Sequence, residues 1–395
     1  MRSALARLDR LIPALGICQI IGWGSTYYLP GIIAPQLSAA TGLSKPMVFA
    51  SVTVMLLVSS FCGVIAGRFM DRRGARLGLI TGSILLAVGL VILSVSSGPF
   101  SYFAAWVVIG IAMPLGLSGA SHSALVQARG AAGRRGISLL LLYTAAAQAV
   151  FWPLTAVMEA SLGWRMTCLA FALANLATTV VYARILRPDA HLAILNISSD
   201  TPEVGLLPPN HRTYGGALMV VMIALSGFVS WGLELHLMEV LFGFGLGQAA
   251  ALSIIVFRGP VSIISRLADI AFGRWLTPLD IALGGMLVLF MSLLIAMFVT
   301  GYSGAFVFML LFGAGTGVLT AARATMPLTL FGPAGFATLT GKVGLPTHFM
   351  YAIAPPIFGW VIERFGASAA LSLAMFSVCG AMAALIGLRG LIQKS

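Results

Sequence analysis

Of 395 residues, 59% are hydrophobic and only 9% charged, against roughly 45–50% and about 25% in soluble globular domains, so a water-soluble fold is excluded. The formal net charge of +12 raises nucleic acid as a partner. The basic residues, however, sit in short connections between long apolar runs and form no single face or tail, which excludes a nucleic-acid binder.

The apolar runs are long enough to span a bilayer as helices, at about 20–25 residues each and roughly 1.5 Å per residue. In chain order the predicted helices are 11–37, 46–69, 77–95, 100–127, 137–162 and 164–186, then 215–242, 247–267, 279–299, 303–329, 336–362 and 367–388. The expected fold class is therefore an all-α membrane protein with twelve transmembrane helices. Between the two sets of six lies 188–213, the one long polar stretch, with Asp189, Asp200, Glu203 and four prolines. It reads as a cytoplasmic linker joining an N-terminal bundle (1–187) to a C-terminal bundle (214–395).

Arginine and lysine collect at 2–10, 68–76, 129–135, 184–212, 266–274 and 389–394, while the alternate connections hold Lys45, Arg165 and Arg364. That bias places both termini in the cytoplasm of a multi-pass inner-membrane protein and makes membrane lipids its surroundings. Cys18, Cys62, Cys168 and Cys379 stand singly in apolar runs, without metal-ligand or disulfide spacing. No nucleotide loop, metal cluster or catalytic triad is legible, so neither a cofactor nor an enzyme activity is expected.

The two halves share short patterns. Trp23-Gly24 is followed at one spacing by Tyr28-Leu29, and Trp231-Gly232 at the same spacing by His236-Leu237; Arg68-x-x-Asp71 is matched by Arg266-x-x-Asp269. Duplicated halves are the arrangement in which substrate sites lie between repeats near the bilayer midplane. The most charged stretch, Gly67-x-Phe69-Met70-Asp71-Arg72-x-Gly74-x-Arg76, joins the second and third runs. Its glycines permit a tight reversal, and Asp71 suits the positive end of a neighbouring helix.

This stretch resembles the signature loop of the major facilitator superfamily, and with the six-plus-six pattern the resemblance covers essentially the whole chain. It implies two pseudo-symmetric six-helix bundles and secondary transport by rocking about a central cavity. It further implies that Gly67, Asp71, Arg72, Gly74 and Arg76 form a gating loop against the eleventh helix. Two family patterns are missing, an arginine in the fourth helix usual in proton-coupled members and a fifth-helix motif of drug antiporters. Residues 114–124 of the fourth run hold His122 and no arginine, and the fifth run keeps Trp152-Pro153 without the Gly-Pro-x-x-Gly-Gly motif.

Ionisable groups inside the runs are candidate functional residues, because charge in hydrocarbon is costly. Arg258, in the eighth run before Gly259-Pro260, either forks onto a substrate carboxylate or phosphate or pairs structurally with Glu234 or Glu239. An arginine there resembles the anion site of monocarboxylate and oxalate carriers, with Lys342 in place of their eleventh-helix partner and Gly22-Trp23-Gly24 similar to their first helix. Glu234 and His348 are the candidate proton-coupling residues. An anion that engages Arg258 would release Glu234 to take up a proton. Arg323 reads as either a headgroup anchor or a substrate contact. Tyr27, Tyr28, Gln148, Trp152, Trp231 and Tyr351 are candidates for an aromatic substrate wall with polar tips.

The sequence-based expectation is thus a secondary transporter of a small organic solute, by preference an anionic metabolite, working as a monomer. The alternatives are a proton-antiport exporter of apolar or cationic compounds and, in another class, a non-transporting membrane sensor or scaffold.

Overall fold

The computed structural model describes residues 2–190, 192, 205–272 and 275–393, the side chains of 2–9, 268, 269 and 272 excepted. Asp200, Glu203, Arg274, Lys394 and the side chain of Asp269 therefore lie outside the described residues. Within them every regular element is a helix: α1 Arg2–Ser25, α2 Pro30–Thr41, α3 Lys45–Arg73, α4 Ala75–Ser94, α5 Pro99–Gly116, α6 Ser118–Arg129 and α7 Gly133–Ile185. They continue as α8 Arg212–Glu234, α9 Leu237–Gly243, α10 Gln248–Ile255, α11 Arg258–Phe272, α12 Pro278–Phe298, α13 Gly301–Phe331, α14 Phe336–Phe365 and α15 Ala367–Gln393.

Several predicted runs are interrupted where an unbroken helix was expected. The first run splits between α1 and α2, with Pro30 opening α2. The fourth splits at Leu117, whose extended backbone (φ −102°, ψ −158°) follows Pro114. The seventh splits between Glu234 and Leu237, and the eighth between Ile255 and Arg258. Pro30 accounts for the first: proline lacks an N–H and clashes with the preceding turn. The fifth and sixth runs meet inside α7 at Gly163, whose φ of 76° and ψ of 160° turn the chain. By length and hydropathy, eight stretches of the described residues qualify as membrane spans, with Pro99–Ile185 counted as one. The merger covers three of the expected runs; the first, split at the α1–α2 break, is not among the eight, and neither is α14, which is continuous but carries Lys342, His348 and three prolines.

The helices divide into two compact units. The first comprises Met1–Glu203 with Gly332–Leu345, so that it takes in the loop before α14 and the first part of that helix. Its interior holds Tyr102 and Trp106, both fully buried, with the Tyr102 hydroxyl donating to the Val48 carbonyl at 2.7 Å. Asn175 acts as interhelical glue: its Nδ2 donates to Ser25 Oγ at 2.8 Å, and Thr178 Oγ1 donates to Ser83 Oγ at 2.9 Å. Fully satisfied polar contacts of this kind hold apolar helices in register.

The second unit is Val204–Phe331 with Pro346–Ser395. Phe308, Phe312 and Phe358 form its interior. The segment leading into α8 is not free: Leu206 and Leu207 donate their amides to the carbonyls of Thr329 and Leu330 at 3.0 and 3.1 Å, and Leu207 is buried. The repeat seen in sequence returns in packing. In the first unit Phe151 of α7 lies over Gly24 so closely that a Cβ could not be added; in the second, Phe358 of α14 lies over Gly232 in the same way. Both glycines follow a tryptophan, and both helices break within a few residues.

Candidate functional site

The signature loop is built by three helices of the first unit. α3 ends at Arg73 and Gly74 reverses the chain with φ 89°, its amide donating to the Met70 carbonyl at 2.9 Å. A side chain would be strained at that φ. Gln127, at the end of α6, secures the turn from both sides: its Oε1 accepts from the Ala75 amide at 2.7 Å, and its Nε2 donates to the Met70 carbonyl at 3.0 Å. Arg76 reaches the Ala183 carbonyl at 3.0 Å. The sequence offered Gln127 only as the boundary of a run; the signal missed was a polar side chain one turn from an otherwise apolar helix end.

Asp71 caps α14. Its Oδ1 accepts from the Ala337 amide at 3.2 Å and its Oδ2 from the Thr338 amide at 2.8 Å. These amides belong to the first turn of the helix, where backbone N–H groups have no intrahelical acceptor and where negative charge is favoured by the helix dipole. Small residues bring the two helices together. Gly63 and Gly67 of α3 face Gly341 and Ala337 of α14, and at Gly67 an added Cβ would collide with the Ala337 carbonyl. Ser60 extends the seam by donating to the Leu345 carbonyl at 2.7 Å. Small-xxx-small spacing is how helices approach closely in lipid, where no hydrophobic force drives them together. Beside the cap is a depression of about 460 Å³ lined by Arg68, Asp71, Arg72, Gly335, Thr338, Leu339 and Lys342. Lys342 is thus an exposed member of the loop's surroundings.

The aromatic candidates of the first unit gather at the α1–α2 break. Tyr27 packs edge-on against Trp23 (5.5 Å between centroids) and against Tyr28 (5.0 Å). Trp23 Nε1 donates to Ser118 Oγ at 2.9 Å, at the α5–α6 break. The Trp152 ring lies about 3.6 Å from where a Gly31 side chain would begin. Gln148 is half-buried one turn before it on α7.

In the second unit Glu234 closes α8, Arg258 opens α11, and the two form an ion pair. Of the alternatives for Arg258, a carboxylate partner at Glu234 is therefore present. The side chains keep 24% (Arg258) and 38% (Glu234) exposure. An exposed pair contributes about 0–1 kcal/mol, while removing one partner of a buried pair costs about 3–5 kcal/mol; this pair falls between. His236 lies in the α8–α9 break and bonds through Nε2 to the Pro355 carbonyl at 3.0 Å. Trp231 and Tyr351 stack 5.5 Å apart with planes at 9°, and His348 lies 6.1 Å from Tyr351.

Arg323, open in the sequence as a headgroup anchor or a substrate contact, bonds within its own helix. Its Nε donates to the Leu319 carbonyl at 3.1 Å and its Nη2 to Thr320 Oγ1 at 3.3 Å. The side chain therefore runs back toward the middle of α13, away from the Phe331 end. Side chains on a helix tilt toward its N-terminus, and for this arginine that direction leads into the unit.

Two broken, glycine-seamed helical units with a capped signature loop and ionisable residues at helix breaks define a polytopic membrane protein of the transporter type. The sequence matches the Major Facilitator Superfamily over residues 15–345, and the chain belongs to that family. Its fold is similar to that of the human organic anion transporter MFSD10 (TETRAN), with TM-score 0.73 and 14% identity, covering 97% of this chain and 99% of that one. It is also similar to FucP, a Major Facilitator Superfamily transporter in the outward conformation, with TM-score 0.66 and 14% identity over 96% and 98% of the two chains. A structure of the E. coli fucose:proton symporter FucP gives TM-score 0.67 at 13% identity with the same coverage. No curated protein matches the sequence.

Proposed function

We propose that this membrane transporter is a proton-coupled carrier of a small organic anion, with the Glu234–Arg258 pair as its coupling element. The observation that carries the reading is that ion pair, formed between the last residue of α8 and the first of α11, at two helix breaks. Irregular backbone at membrane depth is tolerated where it lines a cavity or is buried in protein, and such breaks are where transporters place ion and substrate groups. An anionic group of the solute takes the Arg258 guanidinium, and Glu234, deprived of its counter-charge, takes a proton. Solute and proton then move together. In the second unit the stacked Trp231 and Tyr351 supply the contacts to the organic part, and His348 adds a second titratable group.

Two of the similar structures are described as an organic anion transporter and a fucose:proton symporter, which agrees with this chemistry. Against exchange of a cation for a proton stands the same pair, since Glu234 is engaged by an arginine. Asp71 at the first turn of α14 supports a gating role for the loop. The protein works as a monomer in the inner membrane with both termini in the cytoplasm.

The test is transport in proteoliposomes. Glu234→Gln is expected to abolish accumulation driven by a proton gradient while preserving exchange of labelled solute for unlabelled. Accumulation that survives the substitution removes Glu234 as the carrier.

A further inference from the structure

Arg323 lies in the second unit with no carboxylate within ion-pair distance among the described residues. Its Nη1 is buried and makes no hydrogen bond. The guanidinium also faces the Tyr351 hydroxyl, with Thr347 beside it. His348, one turn before Tyr351 on α14, keeps a buried Nδ1 without a hydrogen-bond partner. Two unpartnered polar atoms thus flank one tyrosine, and that tyrosine is stacked on Trp231. Arg323 as a whole is half-buried, but buried polar atoms left unsatisfied in a folded protein are few and call for an explanation. Hydrocarbon packing alone would not select arginine here.

We propose that Arg323, with Thr320, His348 and Tyr351, is a second anion seat that takes the carboxylate of the transported solute. It is separate from Arg258. The Arg258 carbonyl packs on Gly313 of α13, and Thr320, which holds the Arg323 guanidinium, lies roughly 10 Å further along the same helix at about 1.5 Å per residue. The two arginines are then successive stations of a path along α13. The Arg323 Nη1 donates to the carboxylate, and the His348 Nδ1, in the tautomer that carries its proton, donates beside it. The Trp231–Tyr351 stack provides a flat apolar wall for the organic part.

This inference rests on the organic-anion reading above but not on the coupling role of Glu234. It is tested on the full-length protein in detergent with sodium benzoate as the probe, benzamide as the uncharged control and sodium chloride at matched ionic strength. The background is Glu234→Gln/Arg258→Gln, which removes the other arginine without leaving its glutamate unpaired. Benzoate is expected to raise the melting temperature of this background saturably, and Arg323→Gln added to it is expected to abolish the rise. A rise already absent from the background overturns the second seat and leaves the Arg258 reading standing. A rise that persists after Arg323→Gln overturns it as well, and an equal rise with chloride replaces the carboxylate by a halide. Tyr351→Phe, a milder change, is expected to raise the half-saturating benzoate concentration several-fold through one lost hydrogen bond; an unchanged value also counts against the seat.

Discussion

Replacing Asp71 with asparagine isolates the contact between the loop and α14. The carboxylate accepts two backbone hydrogen bonds, at 3.2 and 2.8 Å, from the amides of Ala337 and Thr338. A carboxamide keeps one acceptor oxygen and turns an NH2 toward the other amide, so one charge-assisted bond is lost and the second becomes neutral. Hydrogen bonds to charged groups contribute about 1.5–3 kcal/mol and neutral ones about 0.5–1.5 kcal/mol. Asp71 is only half-buried, which brings the expected loss down to about 1–2 kcal/mol, or a factor of roughly 5–30 in a local equilibrium. Because first-turn amides have no other acceptor, the loss is read directly by hydrogen exchange. Protection of the Ala337 and Thr338 amides should fall by that factor, while amides deeper in α14 keep theirs. Transport should fall with it if this contact forms and breaks during the cycle. Exchange at these two amides that stays within twofold of the wild type would refute the account.

Gln127→Leu should leave the Ala75 amide without its acceptor in a partly buried turn, at a cost of about 1–3 kcal/mol; a lower melting temperature checks it, and Gln127→Glu, which keeps the acceptor oxygen, should lose less. Reporter fusions at Asp200 and after Ser395 should both report the cytoplasm, and a fusion within 42–45 the outside, because arginine and lysine gather on alternate connections; a reversed signal at any of these sites refutes the orientation.

Much of this protein was legible as one-dimensional information. An apolar run of bilayer length is a helix whatever surrounds it, since in lipid every backbone polar group must be satisfied within its own segment. For the same reason the runs before and after Gly163, the tight reversal at Gly74 and the duplicated Trp-Gly pairs all carried their meaning in order and spacing. The contact of Asp71 with a helix start more than 260 residues away was foreseen only because the loop resembles a known motif; its spacing alone names no partner. Tertiary structure decided the rest. Helical wheels assume an unbroken 100° per residue, and the breaks at Leu117, at Leu235 and His236, and before Arg258 reset that phase; His236, in one of them, meets the Pro355 carbonyl 119 residues away. Depth along a run left Arg323 open as a headgroup anchor or a substrate contact; in the folded chain its side chain turns back onto Leu319 and Thr320. Sequence position gives the height of a long side chain's Cα. Where its charged end rests depends on which carbonyls and hydroxyls stand within reach, and those belong to the folded chain.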